Sequence, residues 1–203
     1  MKKIIERSLE NSYNYQEFKD LTSSLIAEGK STGHEQSEAL TNYSLLNDKR
    51  MKRLDKTIKI SEETIAEIKQ IKEPQTWLVI TESWCGDAAQ NIPVIHKIAK
   101  TNPLINFKLV LRDDNEDLMN QFLTNGGKAI PKLIALDNQK NVINTWGPRP
   151  TIATKMVVDY KAKNGSLDAD FKKELQVWYN KDKGLSVQDD FVKLAKKLQT
   201  KEA

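Results

Sequence analysis

The sequence predicts an α/β protein: a central mixed β-sheet flanked by helices, with helical extensions at both ends. Two observations carry this. Between about residues 61 and 163, short apolar runs alternate with helical repeats in the order strand, helix, strand, helix, strand, strand, helix. Outside that span, neither end of the chain contains a convincing strand. The succession implies a parallel crossover followed by an antiparallel hairpin in one sheet. The chain accordingly divides into an N-terminal helical extension over 1–60, a core domain over 61–163, and C-terminal helices over 164–203 that pack on the same domain.

Each element has a local cause. Phe18, Leu21 and Leu25 fall at i, i+3 and i+7, and that helix ends near Gly29 and Gly33. Leu40, Tyr43, Leu46 and Leu54 mark a second helix between Gln36 and Leu54. Both stripes have to cover something. Ser61 is an N-cap with Glu62 and Glu63 in the first turn, where acids complement the helix dipole; Ile65, Ile68 and Ile71 follow, and Pro74 ends the run. Trp77 to Thr81 is apolar without alternation, as a strand covered on both faces should be. Ala88, Ile92, Ile95 and Ala99 then lie on one side of a helix, and Pro93 within it predicts a kink.

A second strand, Phe107 to Leu111, leads into Arg112 and Asp113. Glu116 to Leu123 reads as a short helix ended by Asn125, Gly126 and Gly127. Lys132 to Leu136 and Asn141 to Trp146 are strands joined by a turn of hairpin length. Three further helical stripes complete the chain: Ile152, Met156 and Tyr160; Phe171, Leu175 and Trp178; Val187, Phe191, Leu194 and Leu198. Gly165 and Gly184 separate them.

Two hundred and three residues suffice for a domain of roughly 140 residues with an appendage. With 32 basic and 28 acidic residues the net charge is only +4, too balanced for a nucleic-acid surface. The densest basic run, Lys49 to Lys59, is interleaved with Asp55 and reads as a solvated helix face. Met1-Lys2-Lys3 has no apolar segment of secretory type behind it, and no run approaches the roughly 18 apolar residues of a membrane span. With a single cysteine, no intrachain disulfide framework can form. A cytoplasmic protein without membrane contact is expected.

That cysteine, Cys85, stands where the first strand turns into its following helix. A thiol in the first turn meets unpaired backbone N–H groups and the positive end of the dipole, which favour the thiolate. The gain is about 0.3–1 kcal/mol, at most ~2. At ~1.4 kcal/mol per pKa unit, that lowers the thiol by less than about 1.5 units. Asp87 in the same turn opposes it. His96 lies eleven residues on, about 16 Å along the helix axis, too far to act as a base; it reads as a helix-surface residue. His34 sits in a loop. One cysteine and two scattered histidines do not form a metal site, and no cofactor is predicted. Gly126-Gly127 lacks the context of a phosphate loop and reads as a helix stop.

Trp84-Cys85-Gly86 at the end of a buried strand, Pro93 eight residues after the cysteine, and Ile130-Pro131 before the next-to-last strand together resemble the thioredoxin-like fold. The resemblance covers roughly Ser61 to Lys163. Trp84-Cys85-Gly86-Asp87-Ala88, Asn125-Gly126-Gly127 and Trp146-Gly147-Pro148-Arg149-Pro150 resemble, more narrowly, bacterial thioredoxin-family proteins with a single-cysteine motif. The resemblance implies a cis Ile130–Pro131 bond facing Cys85. It also implies what is missing: Ala88 stands where a thioredoxin has its second cysteine, and Val79 where it has a buried acid that assists that second sulfur. Cys85 could form a mixed disulfide, but another thiol would have to release it.

On that topology the exit of the last strand returns to the Cys85 rim, bringing Arg149 between two prolines to contact the thiolate, a substrate carboxylate, or an aspartate such as Asp87 or Asp113. Arg112 reaches the same rim. Two functions follow. In the first, Cys85 is the catalytic sulfur of a monothiol redox protein; Trp84, Ile130, Pro131 and Arg149 position the substrate, a disulfide-containing protein or a low-molecular-weight thiol. In the second, a catalytically inactive binding module uses the groove around Trp84, Ile130, Pro131 and Trp146 for a peptide or protein. Iron–sulfur binding is a weaker third. The N-terminal helices either cap the sheet edge or mediate dimerisation, and the sequence leaves oligomeric state open.

Overall fold

The computed structural model describes residues 1–199. Four strands form one sheet in the order β2-β1-β3-β4: β1 (Gln75–Thr81), β2 (Ile105–Leu111), β3 (Lys132–Leu136) and β4 (Val142–Trp146). β1 and β2 are parallel, while β3 is antiparallel to both β1 and β4. The C-terminal ends of β1, β2 and β4 and the N-terminal end of β3 therefore share one rim. Every functional candidate except the histidines comes from that rim.

Nine helices surround the sheet among the described residues. α1 (Lys2–Glu10), α2 (Tyr15–Ala27), α3 (Glu38–Thr57) and α4 (Glu62–Ile68) precede β1. α5 (Gly86–Ala99) connects β1 to β2, α6 (Glu116–Gln121) precedes β3, and α7 (Thr151–Asn164), α8 (Ala169–Asp182) and α9 (Leu185–Gln199) follow β4. Caps set the starts: Asn14 and Glu17 form a reciprocal capping box on α2, Ser37 caps α3, and Ser61 caps α4 through the Thr64 N–H. α5 runs on through Pro93. None of these helices is long and apolar enough to cross a membrane.

Because strand side chains alternate, the sheet has two cores. Trp77, Val79, Leu109 and Leu133 face α2, α3, α5 and α9; Leu78, Ile80, Val110 and Ile134 face α1 and α6. The helices before Ser61 thus share their core with the sheet. The edge of β2 is closed by Tyr13, whose N–H and C=O exchange 2.8 Å hydrogen bonds with Leu109.

Three sequence readings shift. On α3, Tyr43 and Leu46 point outward at 56% and 44% exposure; the buried face is Ser44, Asn47, Asp48, Met51 and Leu54, because Ser44 and Asn47 bond Ser83 in the loop after β1. On α7 Met156 and Tyr160 pack partly buried against the helical core as expected, but Ile152 is exposed and the fully covered positions are Ala153 and Val157. His96 is no free surface residue: its ring stacks on Tyr15 at 3.9 Å, and burial pulls its pKa down to about 4. The side chain of Leu198 lies outside the described residues.

Candidate functional site

The site is the loop from Glu82 to Asp87 and what surrounds it. Cys85 is the N-cap of α5, so its sulfur sits over the first turn and accepts the Ala88 N–H at 3.4 Å. Its own S–H donates to the Ile130 carbonyl at 3.3 Å. The Ile130–Pro131 peptide is cis, as is Gly147–Pro148. The two loops touch at Gly147: with φ +114° it lies in the left-handed region, and a Cβ there would stand 2.2 Å from the Pro131 carbonyl oxygen. Only glycine fits that approach.

The sulfur is partly buried, and its electrostatics oppose ionisation. Burial, and next the Asp87 carboxylate, push the thiol up to about 12; the Ala88 and Asp87 N–H groups and Arg149 pull the other way with less effect. At neutral pH that balance favours the thiol over the thiolate.

Asp87 anchors a buried polar network. Arg149 pairs with it at 2.6 Å, the Tyr179 hydroxyl of α8 donates to it at 2.9 Å, and the Asn91 amide donates to its backbone carbonyl at 2.8 Å. Burial raises the Asp87 carboxyl against the pull of Arg149 and Tyr179. Arg149 therefore serves the aspartate, one of the alternatives its position offered, and its bond is not to the sulfur.

Trp84 is half-buried on the other side of the loop. The Arg112 guanidinium lies 4.8 Å from the ring centroid and pairs with Asp113 at 2.8 Å. Beneath it the loop is tied to the N-terminal extension. Asn47 donates to the Ser83 carbonyl at 2.8 Å, Ser44 shares a 2.7 Å hydroxyl contact with Ser83, and Thr32 accepts the Ser83 N–H at 2.7 Å. His34 pairs with Asp114 at 3.0 Å.

Of the predicted site residues, the structure brings Cys85 against Ile130 and the cis Pro131, with Trp84 and Arg149 on either side. Ile130 and Pro131 are buried, and Trp146 is covered by Phe191 and hydrogen-bonded to Asp190 at 3.0 Å. The groove expected around Trp84, Ile130, Pro131 and Trp146 is thus closed at its Trp146 end. Val79, where a buried acid would assist a second thiol, is fully buried and apolar.

A thioredoxin family model matches residues 33–164, well over half of the chain. The chain belongs to the thioredoxin family. No curated protein matches the sequence. Among solved structures, the chain is similar to a Pseudomonas aeruginosa protein of unknown function, at 16% identity and TM-score 0.54, covering 94% of this chain and 99% of that one. It is also similar to an HIV epitope-scaffold at 18% identity and TM-score 0.53, with 91% and 98% covered. At such identities the likeness is one of fold.

Several members of the site carry no sequence signal: Thr32, Ser44, Asn47 and Tyr179 reach it from helices and a loop remote in sequence, and Asn91 from the next turn of α5. The proline-flanked Arg149 was the visible exception.

Proposed function

We propose that this thioredoxin-family chain is a binding module, recognising a peptide or protein partner at the surface around Trp84, Cys85 and Gly86 and keeping its sulfur protonated. The observation that carries this reading is the placement of Cys85: its sulfur lies 3.3 Å from the Ile130 carbonyl and beside the Asp87 carboxylate, and burial, then that carboxylate, push the thiol up to about 12. A free thiol of pKa ~8.5 is a few per cent thiolate at pH 7, whereas one near 12 is about one part in 10⁵. Nucleophilicity rises with pKa at a Brønsted slope of ~0.4–0.5, recovering only some 40-fold. The net is exchange about a hundredfold slower than a free cysteine. The chain also lacks a second cysteine to complete a dithiol cycle.

A second reading, monothiol exchange, is favoured by one specific feature, the Ala88 N–H aimed at a partly exposed sulfur next to the cis proline. There the Cys85 sulfur would attack a disulfide, expel one thiolate that takes up the Cys85 proton, and be released by an external thiol. Oxidised glutathione separates the two. The binding module forms a mixed disulfide at neutral pH about a hundredfold more slowly than free cysteine; formation at or above the rate of free cysteine would overturn it in favour of exchange.

A further inference from the structure

The outward face of α3 ends at the site. Leu46, Lys49, Arg50 and Arg53 follow at i, i+3, i+4 and i+7, and with Asn180 of α8 they line an open cleft of about 350 Å³. The cleft adjoins the Cys85 loop at Gly86, where a Cβ would meet Gln176 of α8 at 3.5 Å and the Arg50 guanidinium at 3.6 Å. Arg50 is held in place: it donates to Asn47 at 2.9 Å, and Asn47 in turn donates to the Ser83 carbonyl.

These cations are not neutralised. Among the described residues Lys49, Arg50 and Arg53 form no ion pair; the hydrogen bonds of the two arginines go to the neutral amides of Asn47 and Asn180. Burial, and next the neighbouring Arg53 cation, hold the Arg50 guanidinium below its usual pKa range. Three positive groups gathered at a cleft without a counter-charge form a surface complementary to carboxylates. One turn further along the same face Tyr43 is exposed beside Leu46. From Tyr43 to Arg53 the stripe runs about 15 Å at 1.5 Å per residue, too long for a small anion and equal to some four or five extended residues.

We infer that the α3–α8 cleft binds an acidic peptide segment of the partner, its carboxylates on Lys49, Arg50 and Arg53 and an apolar side chain against Tyr43 and Leu46. This rests on the binding-module reading and names the chemistry of the partner.

The test is fluorescence anisotropy on the full chain with a short fluorescein-labelled peptide of Glu, Leu and Ser, against its Gln-for-Glu counterpart. The acidic peptide should bind at least tenfold more tightly, with an affinity that falls steeply with salt. Lys49→Gln/Arg50→Gln/Arg53→Gln should abolish the preference, whereas Lys161→Gln/Lys163→Gln/Lys172→Gln, equal in charge removed, should keep it. Lys49→Glu/Arg53→Glu, at exposed positions, is the second variant should the triple one fail to fold, and should reverse the preference. Equal binding of both peptides, no binding of the acidic one, a preference that survives these variants, or binding of inorganic phosphate alone would overturn the inference. Cys85 alkylation, read on the same samples, keeps the two readings apart: acidic-peptide binding by a protein whose thiol reacts like free cysteine would retain the cleft and remove the protonated-sulfur reading.

Discussion

Two arginines flank the Cys85 loop, and they meet opposite fates. Arg149 arrives from β4 between two prolines and is consumed: it pairs with Asp87, which Tyr179 and Asn91 also bond, in a network that is mostly buried. Arg50 arrives from α3, keeps a neutral partner and faces an open cleft beside a second cation. The first side is architecture and the second is surface. A cation near a cysteine is thus no sign of an activated thiolate: the one that is paired holds a carboxylate beside the sulfur, and that carboxylate disfavours ionisation.

The largest effect tests the closed side. Asp87→Ala would strand the Arg149 guanidinium and remove the acceptor of Tyr179, and breaking a buried pair from one end costs about 3–5 kcal/mol. Urea unfolding measures it. The same variant should bring the Cys85 thiol down, because a repelling charge goes and an attracting one stays. A loss below about 1 kcal/mol would put the Asp87–Arg149 pair on the same footing as a surface ion pair and erase the contrast with Arg50.

The alkaline stability curve gives the next effect. The folded thiol titrates near 12 and the unfolded one near ~8.5, so above ~8.5 the unfolded chain binds fewer protons than the folded one. Stability from this group is whole below ~8.5 and is lost as pH rises towards 12. Relative to Cys85→Ser, the parent should lose about 3 kcal/mol across that window, after allowance for the partial exposure of the sulfur. Parallel curves for the two proteins would mean that the sulfur is not held as a thiol.

The smallest effect sharpens the open side. Arg50→Gln gives up no ion pair and relieves repulsion from Arg53, so stability should change by less than about 0.5 kcal/mol. A loss of 2 kcal/mol or more would mark Arg50 as architecture like Arg149.

What could be read from the sequence was what local pattern writes down. β3 is legible at its observed bounds, the Ser61 cap forms as its pattern predicts, Ile68 and Ile71 of the Ile65, Ile68 and Ile71 stripe are buried, and Trp84-Cys85-Gly86 with Pro131 point to the fold. The α3 face differs from its sequence pattern for a physical reason. Amphipathicity assigns Tyr43 and Leu46 inward, yet the buried side carries Ser44 and Asn47 because the Ser83 backbone and hydroxyl needed partners, and long-range hydrogen bonds leave no periodic trace. Asp87 showed the same limit. Its opposition to the thiolate was evident from spacing, but its burial against Tyr179, 92 positions away, was not.

Whether Cys85 rests as a thiol is decided by following its alkylation with iodoacetamide against pH. The reactivity midpoint should lie near 12, with a rate at neutral pH well below that of free cysteine. A midpoint at or below ~8.5 would contradict a resting thiol.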